Sequence, residues 1–524
     1  MSWLRLPMDK IEGRAASVIG ILLTLNGCAM EPVDRAPVSP LAQWHGKEQI
    51  IVSEQVSLSL SALAEDSQMI IDTEHAYQLP ELINIAQLNN PDTRIAWHQA
   101  RQAALAVGLT ESVFLPMITA SVVGGYQHTR TPLPYAIGDQ NNLQTNSHEV
   151  VPALVLQWLL FDFGHRRTIM KAAEQTSFAA NMYFNGTHQK IIFDVMRTYY
   201  HYGAARSRRK NATEMLTNSQ KILDATEARR IQGIATIVEL AQARQLVAQA
   251  ELSLIVAGNS ERDALQGLNT ALGMPANTQI KVDFPTFNTD VKQVNPLSQK
   301  VIEQALARRP DVLASYALAK AAKEGISTAE ANYLPKIYLA GSLATGNGQF
   351  DILGLPSIGQ QTSSSNILIG VTLPLYDGGI RTIRLQEARS RANLADEIFK
   401  KNCDAAAREI VVAADILQSA VASGKAASHL VKTAEVTYDA ALDAYKHGLS
   451  TITVANEAAN NLLTAKQTDT DARAAVLVAA ANLAFVMGDI TQTVTSSGPE
   501  LSERKVIAEA QYAETYFANP YVSH

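Results

Sequence analysis

One feature constrains this chain more than any other: it is written twice. Asn90-Pro91-Asp92 opens a helical stretch that closes at Leu115-Pro116. Arg309-Pro310-Asp311 and Leu334-Pro335 repeat both landmarks 219 residues further on. Leu160-Phe161-Asp162-Phe163-Gly164 then matches Leu375-Tyr376-Asp377-Gly378-Gly379 at an offset of 215. Gly233-Ile234-Ala235-Thr236-Ile237 and Gly448-Leu449-Ser450-Thr451-Ile452 keep that offset, as do Leu272-Gly273 and Met487-Gly488. The single slip of four residues lies between Pro335 and Tyr376, where Gly, Ser, Asn and Gln cluster, so it is expected in a loop. The fold must therefore be built from two copies of one supersecondary unit.

Within each copy the periodicity changes. Ile192, Val195, Met196 and Tyr199 recur at helical spacing, and Val431, Ala434, Tyr438, Ala441, Leu442 and Tyr445 lie close to a heptad seam. Gly164–Gln232 and Gly379–His447 are each 69 residues long and free of proline. A helix of that length runs on the order of 100 Å, far beyond the needs of a globular core. Pro91–Leu115 and Ile234–Ala271, 25 and 38 residues, nearly equal one long helix when stacked end to end. The expectation is two antiparallel helical columns per copy, hence four per chain.

Between the helices the pattern turns β. Met117–Tyr126, Val151–Leu160, Ile337–Thr345 and Ile367–Leu375 are apolar or β-branched runs of about ten residues, the length of a tilted membrane strand. Thr129–Glu149, punctuated by Pro132, Pro134 and Gly138, is expected as a long exposed loop. Four strands do not close a membrane barrel, since about eight is the minimum, and an open sheet leaves backbone groups unsatisfied in lipid. If these strands enter a membrane, copies of the chain must combine. A pair of soluble hairpins capping a helical bundle is the other reading of the same runs.

Composition removes other classes. Lys+Arg 44 against Asp+Glu 50, a net charge of −6, argues against a strongly basic nucleic-acid binder. Two cysteines exclude a disulfide scaffold and a four-cysteine zinc site, and Cys403 is expected as a small packed residue. No HExxH, CxxC, GxSxG, P-loop or dinucleotide fingerprint is present, so no enzyme, cofactor or metal site is expected. Beyond residue 30 there is no uninterrupted apolar run of 18 residues. Residues 1–27 read as a secretory signal: Arg5, Lys10 and Arg14 precede the short apolar run Ala15–Leu25. Leu25-Asn26-Gly27-Cys28 resembles the bacterial lipobox, with Asn26 where a small residue is usual, so Cys28 is the expected lipidation site. Ala29 in place of an aspartate favours the outer membrane over retention at the inner one.

Signal, strand pairs and duplicated helices at these spacings resemble the outer-membrane efflux proteins, the TolC-like family, over roughly residues 75–490. The resemblance implies a mainly α fold with a membrane β-barrel. Three chains would form a twelve-stranded barrel and a long tunnel of antiparallel coiled-coil helices. It divides the chain into signal 1–27, lipid-anchored extension 28–75, repeats 76–280 and 281–490, and tail 491–524. It implies a homotrimeric outer-membrane exit duct reaching into the periplasm, partnered by a periplasmic adaptor and an inner-membrane transporter. The duct of a protein-secretion system and a lipid-anchored periplasmic coiled-coil scaffold are the alternatives.

By the same resemblance the two helix–turn–helix tips meet the adaptor, through Gly233, Ile234, Thr236, Gly448, Leu449 and Thr451. The family's gate tyrosine falls on Tyr445 and the acid tied to it on Glu239. Its two acidic rings fall on Val454 and Glu457, so one ring is missing. The basic residue that ties the gate to the next chain falls on Ser450, so that tie is absent. Tyr445 also occupies a heptad position and is open to a plain seam role.

Overall fold

The computed structural model describes residues 32–41, 43–44, 74–137, 140–275, 277–284, 298–352 and 356–490. The signal, Cys28 and the tail 491–524 lie outside them. Element order follows the duplication. The first copy holds β1 (Ala76–Tyr77), α1 (Leu79–Asn89), α2 (Pro91–Ser112), β2 (Met117–Ile137), β3 (Gln140–Phe161), α3 (His165–Ile231) and α4 (Ile237–Ala271). The second holds β4 (Lys281–Val282), α5 (Gln299–Leu306), α6 (Pro310–Ala331), β5 (Lys336–Ile352), β6 (Ile358–Thr372), α7 (Ile380–Lys446) and α8 (Ile452–Val486). Copy against copy, helix lengths agree: 67 and 67 residues for α3 and α7, 35 and 35 for α4 and α8, 22 and 22 for α2 and α6. No proline interrupts any of these helix interiors, and proline opens α2 and α6 at the one position where its missing N–H costs nothing.

The chain divides into two units, of which the first takes in residues 101–177 and 320–393. Its centre is a four-stranded antiparallel sheet in the order β2-β3-β5-β6. Both edges, β2 and β6, are bare among the described residues. Side chains alternate between the two faces. One face carries Ile118, Val122, Leu154, Leu343, Ile367 and Ile369, all exposed. The other interleaves Val123 and Leu368 with Ser121, Gln157, Ser342 and Asn366. Along β3 the apolar face runs from Val150 to Trp158. At a membrane-strand tilt that is roughly 23 Å of height, close to the apolar band of outer-membrane barrels.

The expected loop Thr129–Glu149 is corrected here. The strands continue through it, pairing Thr129 with Thr145 and Thr131 with Leu143, and the ladder becomes irregular only between Pro132 and Ile137. Its polarity marks strand beyond the apolar band, not absence of strand. Pro132 and Pro134 fall where the β2–β3 ladder turns irregular, the kind of place at which a missing N–H is tolerated. The repeat-two strands are shorter, 17 and 15 residues against 21 and 22, and the four-residue slip lies within the stretch that holds the β5–β6 hairpin.

The second unit takes in residues 37–100, 178–319 and 394–524. One core joins Leu82, Ile85, Val195, Tyr199, Leu268 and Leu272 with the two-residue parallel pair β1–β4. The matched Leu-Gly and Met-Gly landmarks acquire a cause here. Gly273 and Gly488 end α4 and α8 at φ 70° and 74°. A Cβ on Gly273 would lie 2.7 Å from the Asn90 backbone, and one on Gly488 3.3 Å from that of Arg308. Each copy thus stops its last helix against its own α1–α2 or α5–α6 junction. The other matched landmark, Arg309-Pro310-Asp311, is an ion network: Arg309 donates to Asp311 at 2.7 Å, to Glu409 at 2.7 Å and to the Val486 carbonyl at 3.1 Å. By length and composition α7 is apolar enough over 18 residues to cross a membrane, and most of that stretch is not buried within the chain. The stretch is an alanine-rich part of a 67-residue helix whose repeat-one counterpart α3 has no such stretch.

Part of the N-terminal extension is fastened to this unit. Trp97 Nε1 donates to the Pro37 carbonyl at 2.8 Å, and the Asn185 amide brackets Trp44, accepting from its N–H and donating to its carbonyl, both at 2.8 Å. His188 is fully buried beside the Phe184 ring. Burial pushes its pKa down to about 4, with the Pro40 carbonyl opposing. An unfolded chain takes up that proton near pH 6.5 and the folded chain does not. This group's stabilisation is therefore complete above pH 6.5 and lost as the pH falls toward 4. By linkage the loss is about 2 kcal/mol at pH 5. Urea midpoints at pH 7 and pH 5 check this: His188→Phe should flatten the difference, and an unchanged pH slope in that variant would rule the histidine out.

Candidate functional site

Two regions carry unusual local chemistry: the corners where strand becomes long helix, and the helix–turn–helix tips. At the first corner Asp162 accepts from the Gly164 N–H at 3.3 Å, the Arg166 N–H at 3.0 Å and Arg166 Nε at 2.9 Å. Arg166 also donates to the Val113 carbonyl at 3.0 Å and lies 4.6 Å over the Phe114 ring. The second corner repeats this. Asp377 accepts from the Gly379 N–H at 3.2 Å and Arg381 Nε at 2.7 Å, and Arg381 lies 5.0 Å over Tyr333. Desolvation pushes the Asp377 carboxyl up, but the bonds and charge of Arg381 outweigh it and hold the pKa below the usual value. Around these corners Phe161, Phe163, Leu375 and Tyr376 are exposed, the apolar and aromatic fringe expected where a barrel leaves lipid.

The tips are two tight turns. Gly233 and Gly448 take φ 73° and 78°. The N–H groups of Gly233 and Ile234 return to the carbonyls of Arg230 and Arg229, both at 2.9 Å. Those of Gly448 and Leu449 return to Tyr445 and Ala444 at 3.0 and 2.8 Å. A left-handed glycine satisfies the last carbonyls of a helix in this way. Thr236 caps α4, accepting from the Glu239 N–H at 3.2 Å, while the Glu239 carboxylate accepts from the Thr236 N–H at 2.6 Å. Thr451 stands at the matching N-cap of α8 without a side-chain bond. Ile231, Ile234, Ile237 and Leu449 are exposed at the tips.

Tyr445 is fully buried, in a cluster with Met215, Ile222, Leu246, Ile452 and Leu462, so it is a seam residue. It is also tied, but not to Glu239. Its hydroxyl meets Thr226 Oγ1 at 2.8 Å. Thr226 donates to the Ile222 carbonyl at 2.7 Å, so the tyrosine supplies the proton of the shared bond. Arg229 donates to the Tyr445 carbonyl and stacks 4.7 Å over its ring. The expected Glu239–Tyr445 pair is therefore not made within the chain, because Glu239 closes the capping box of its own helix. Glu457 and Val454 are exposed on α8, and Ser450 is half-buried in the turn.

Residues 82–274 and 301–489, one stretch in each copy, match the outer membrane efflux protein family. The chain belongs to that family. The outer membrane protein OprJ of Pseudomonas aeruginosa is 25% identical over 435 residues, covering 82% of this chain and 87% of that protein. The cation efflux system protein CusC of Escherichia coli is 22% identical over 454 residues, covering 86% and 93%. Among solved structures, CusC superposes with a TM-score of 0.68 at 21% identity, over 79% of this chain and 92% of that one. The CmeC outer membrane channel of Campylobacter jejuni gives 0.68 at 18% identity, over 86% and 95%. The protein is an outer-membrane efflux channel, mainly helical with a membrane sheet.

For an efflux protein of this build, four side chains escaped the sequence reading: Arg166, Arg381, Thr226 and Arg229. The first two carried a signal, for they sit at the same offset of 215 as their aspartates. The other two carried the opposite signal. At that offset Thr226, Arg229 and Arg230 face Ala441, Ala444 and Tyr445, so the tips are tied where the copies differ.

Proposed function

We propose that the protein works as a homotrimeric exit duct, passing substrates from an inner-membrane transporter and a periplasmic adaptor through the outer membrane. One observation carries this: a four-stranded antiparallel sheet has an exposed apolar face and, among the described residues, two bare edges. In lipid each unpaired backbone group costs several kcal/mol, so β2 of one copy must pair with β6 of the next. β2 and β6 run in opposite directions, so repeated pairing continues an antiparallel ladder, and three copies give twelve strands.

The tips are where the duct closes and where the adaptor docks. Gly233, Ile234, Thr236, Gly448, Leu449 and Thr451 form the adaptor surface, helped by the exposed Ile231 and Ile237. Tyr445 is the gate residue, held by Thr226 and Arg229. Glu239 serves the gate only indirectly, by fixing the first turn of α4, and Glu457 lines the aperture. Cys28 carries the lipid. The expected result in detergent is a complex of three chains by light scattering, with the strand content of the full sheet. A monomer that keeps its strand content overturns the duct and favours the lipid-anchored scaffold.

A further inference from the structure

The described strands of the sheet contain four Asp, Glu, Lys or Arg residues: Arg130, Glu149, Lys336 and Asp351. Their placement is not even. Arg130 and Asp351 share the face of the apolar band but lie past its end, toward the hairpin tips. Glu149 and Lys336 point the other way. Glu149 pairs with Gly125 and Gly348, which puts it on the face of Ser121, Ser342 and Asn366. If the apolar face meets lipid, this face lines the lumen. Glu149 directly precedes Val150, where the apolar band begins, so it stands in the lumen level with the outer end of that band.

Its surroundings leave the charge uncompensated. Glu149 is exposed and forms no salt bridge among the described residues. Its carboxylate lies over Gly346, where a Cβ would come within 2.7 Å of it. Lys336 is ten residues from Gly346 on the same strand, or about 33 Å, several Debye lengths at physiological salt.

We infer that Glu149 is the ion-discriminating residue of the barrel: three copies form a carboxylate ring level with the outer end of the apolar band that favours cations over anions. This deepens the trimeric-duct reading and rests on it. Twelve tilted strands enclose a barrel about 24 Å across, which puts the three carboxylates roughly 8 Å from the axis. That is about one Debye length at 0.15 M salt. Three unit charges at that range, screened in water, give a potassium-to-chloride permeability ratio of roughly five to ten. The ring lies on the sheet and is separate from the aperture position of Glu457.

The test is the reversal potential of purified trimers in planar bilayers across a KCl gradient near 0.1 M. Glu149→Gln should lower the permeability ratio several-fold, Glu149→Lys should invert it, and both effects should fade in 1 M KCl. Glu457→Gln separates a ring at the aperture from one in the barrel. Conducting trimers whose ratio is unchanged by Glu149→Gln overturn the ring and leave the duct standing. Absence of trimers in the unaltered protein overturns the duct itself. A second measurement does not need an open gate. With Ser147→Cys on the same face, a cationic thiosulfonate added to whole cells should react several-fold faster than an anionic one. Glu149→Gln should erase that preference, and equal rates with Glu149 present overturn the proposal.

Discussion

Replacing Arg229 by alanine is expected to raise single-channel conductance several-fold while trimers still assemble. Arg229 ends α3, and what it holds is the end of α7. Its guanidinium donates to the Tyr445 carbonyl and covers the Tyr445 ring at 4.7 Å. A hydrogen bond from a charged donor contributes about 1.5–3 kcal/mol and an exposed-to-partly-buried cation–π contact about 0.5–2 kcal/mol. In the proposed trimer three chains repeat the tie, so its loss acts three times on one aperture. Thr226→Val removes only the hydroxyl partner of Tyr445 and should give a smaller rise, in line with the 0.5–1.5 kcal/mol of a neutral hydrogen bond. Tyr438 lies one heptad earlier and supplies the control. Its hydroxyl is buried and has no hydrogen-bond partner among the described residues, so Tyr438→Phe should leave conductance unchanged. Glu239→Ala should weaken the α4 cap and do little to the current. If Glu239→Ala opens the duct as far as Arg229→Ala does, the tie runs to Glu239 of a neighbouring chain and the intrachain latch is wrong.

What the sequence disclosed and what it hid divide along physical lines. Long elements were legible because duplication and periodicity repeat over many residues. The expected 69-residue helices are 67 residues long, with His165 and Ile380 starting one residue past their glycines. The parallel pair β1–β4 was not legible, since two residues per strand carry no period. The outer parts of β2 and β3 were hidden for another reason. A strand in lipid announces itself by apolar residues on one face, whereas the same strand above the lipid shows polar residues and prolines that read as loop. At the tips, Thr236 and Glu239 three residues apart spell a capping box, and that local bond decides where the carboxylate goes. Thr226 and Arg229 gave no pattern because each acts across to an unlike helix end, where the second copy has alanine.

The two corners give the second large effect, and they form a matched experiment within one chain. Asp162 and Arg166 are buried, with side chains 6% and 7% exposed, whereas Asp377 and Arg381 are 25% and 13% exposed. Each aspartate accepts from its glycine N–H, its arginine N–H and its arginine Nε, so the cap is shared, whereas burial and the extra bonds of Arg166 to the Val113 and Leu160 carbonyls belong to the first corner. Removing one partner of a buried pair strands the other charge and costs about 3–5 kcal/mol. Where water reaches the pair, it solvates the survivor and the loss is much smaller. Asp162→Ala should therefore destabilise the trimer severely, with Arg166 left between the Val113 carbonyl and the Phe114 ring. Asp377→Ala should shift it only modestly. Arg166→Lys should behave like the severe variant, because an ammonium does not reproduce a guanidinium that pairs in its plane and stacks on a ring. The measurement is the temperature at which detergent-solubilised trimers dissociate, compared across the three variants. Equal losses at the two corners would show that backbone capping by the aspartate, present in both, sets the stability and that the buried charge pair adds nothing.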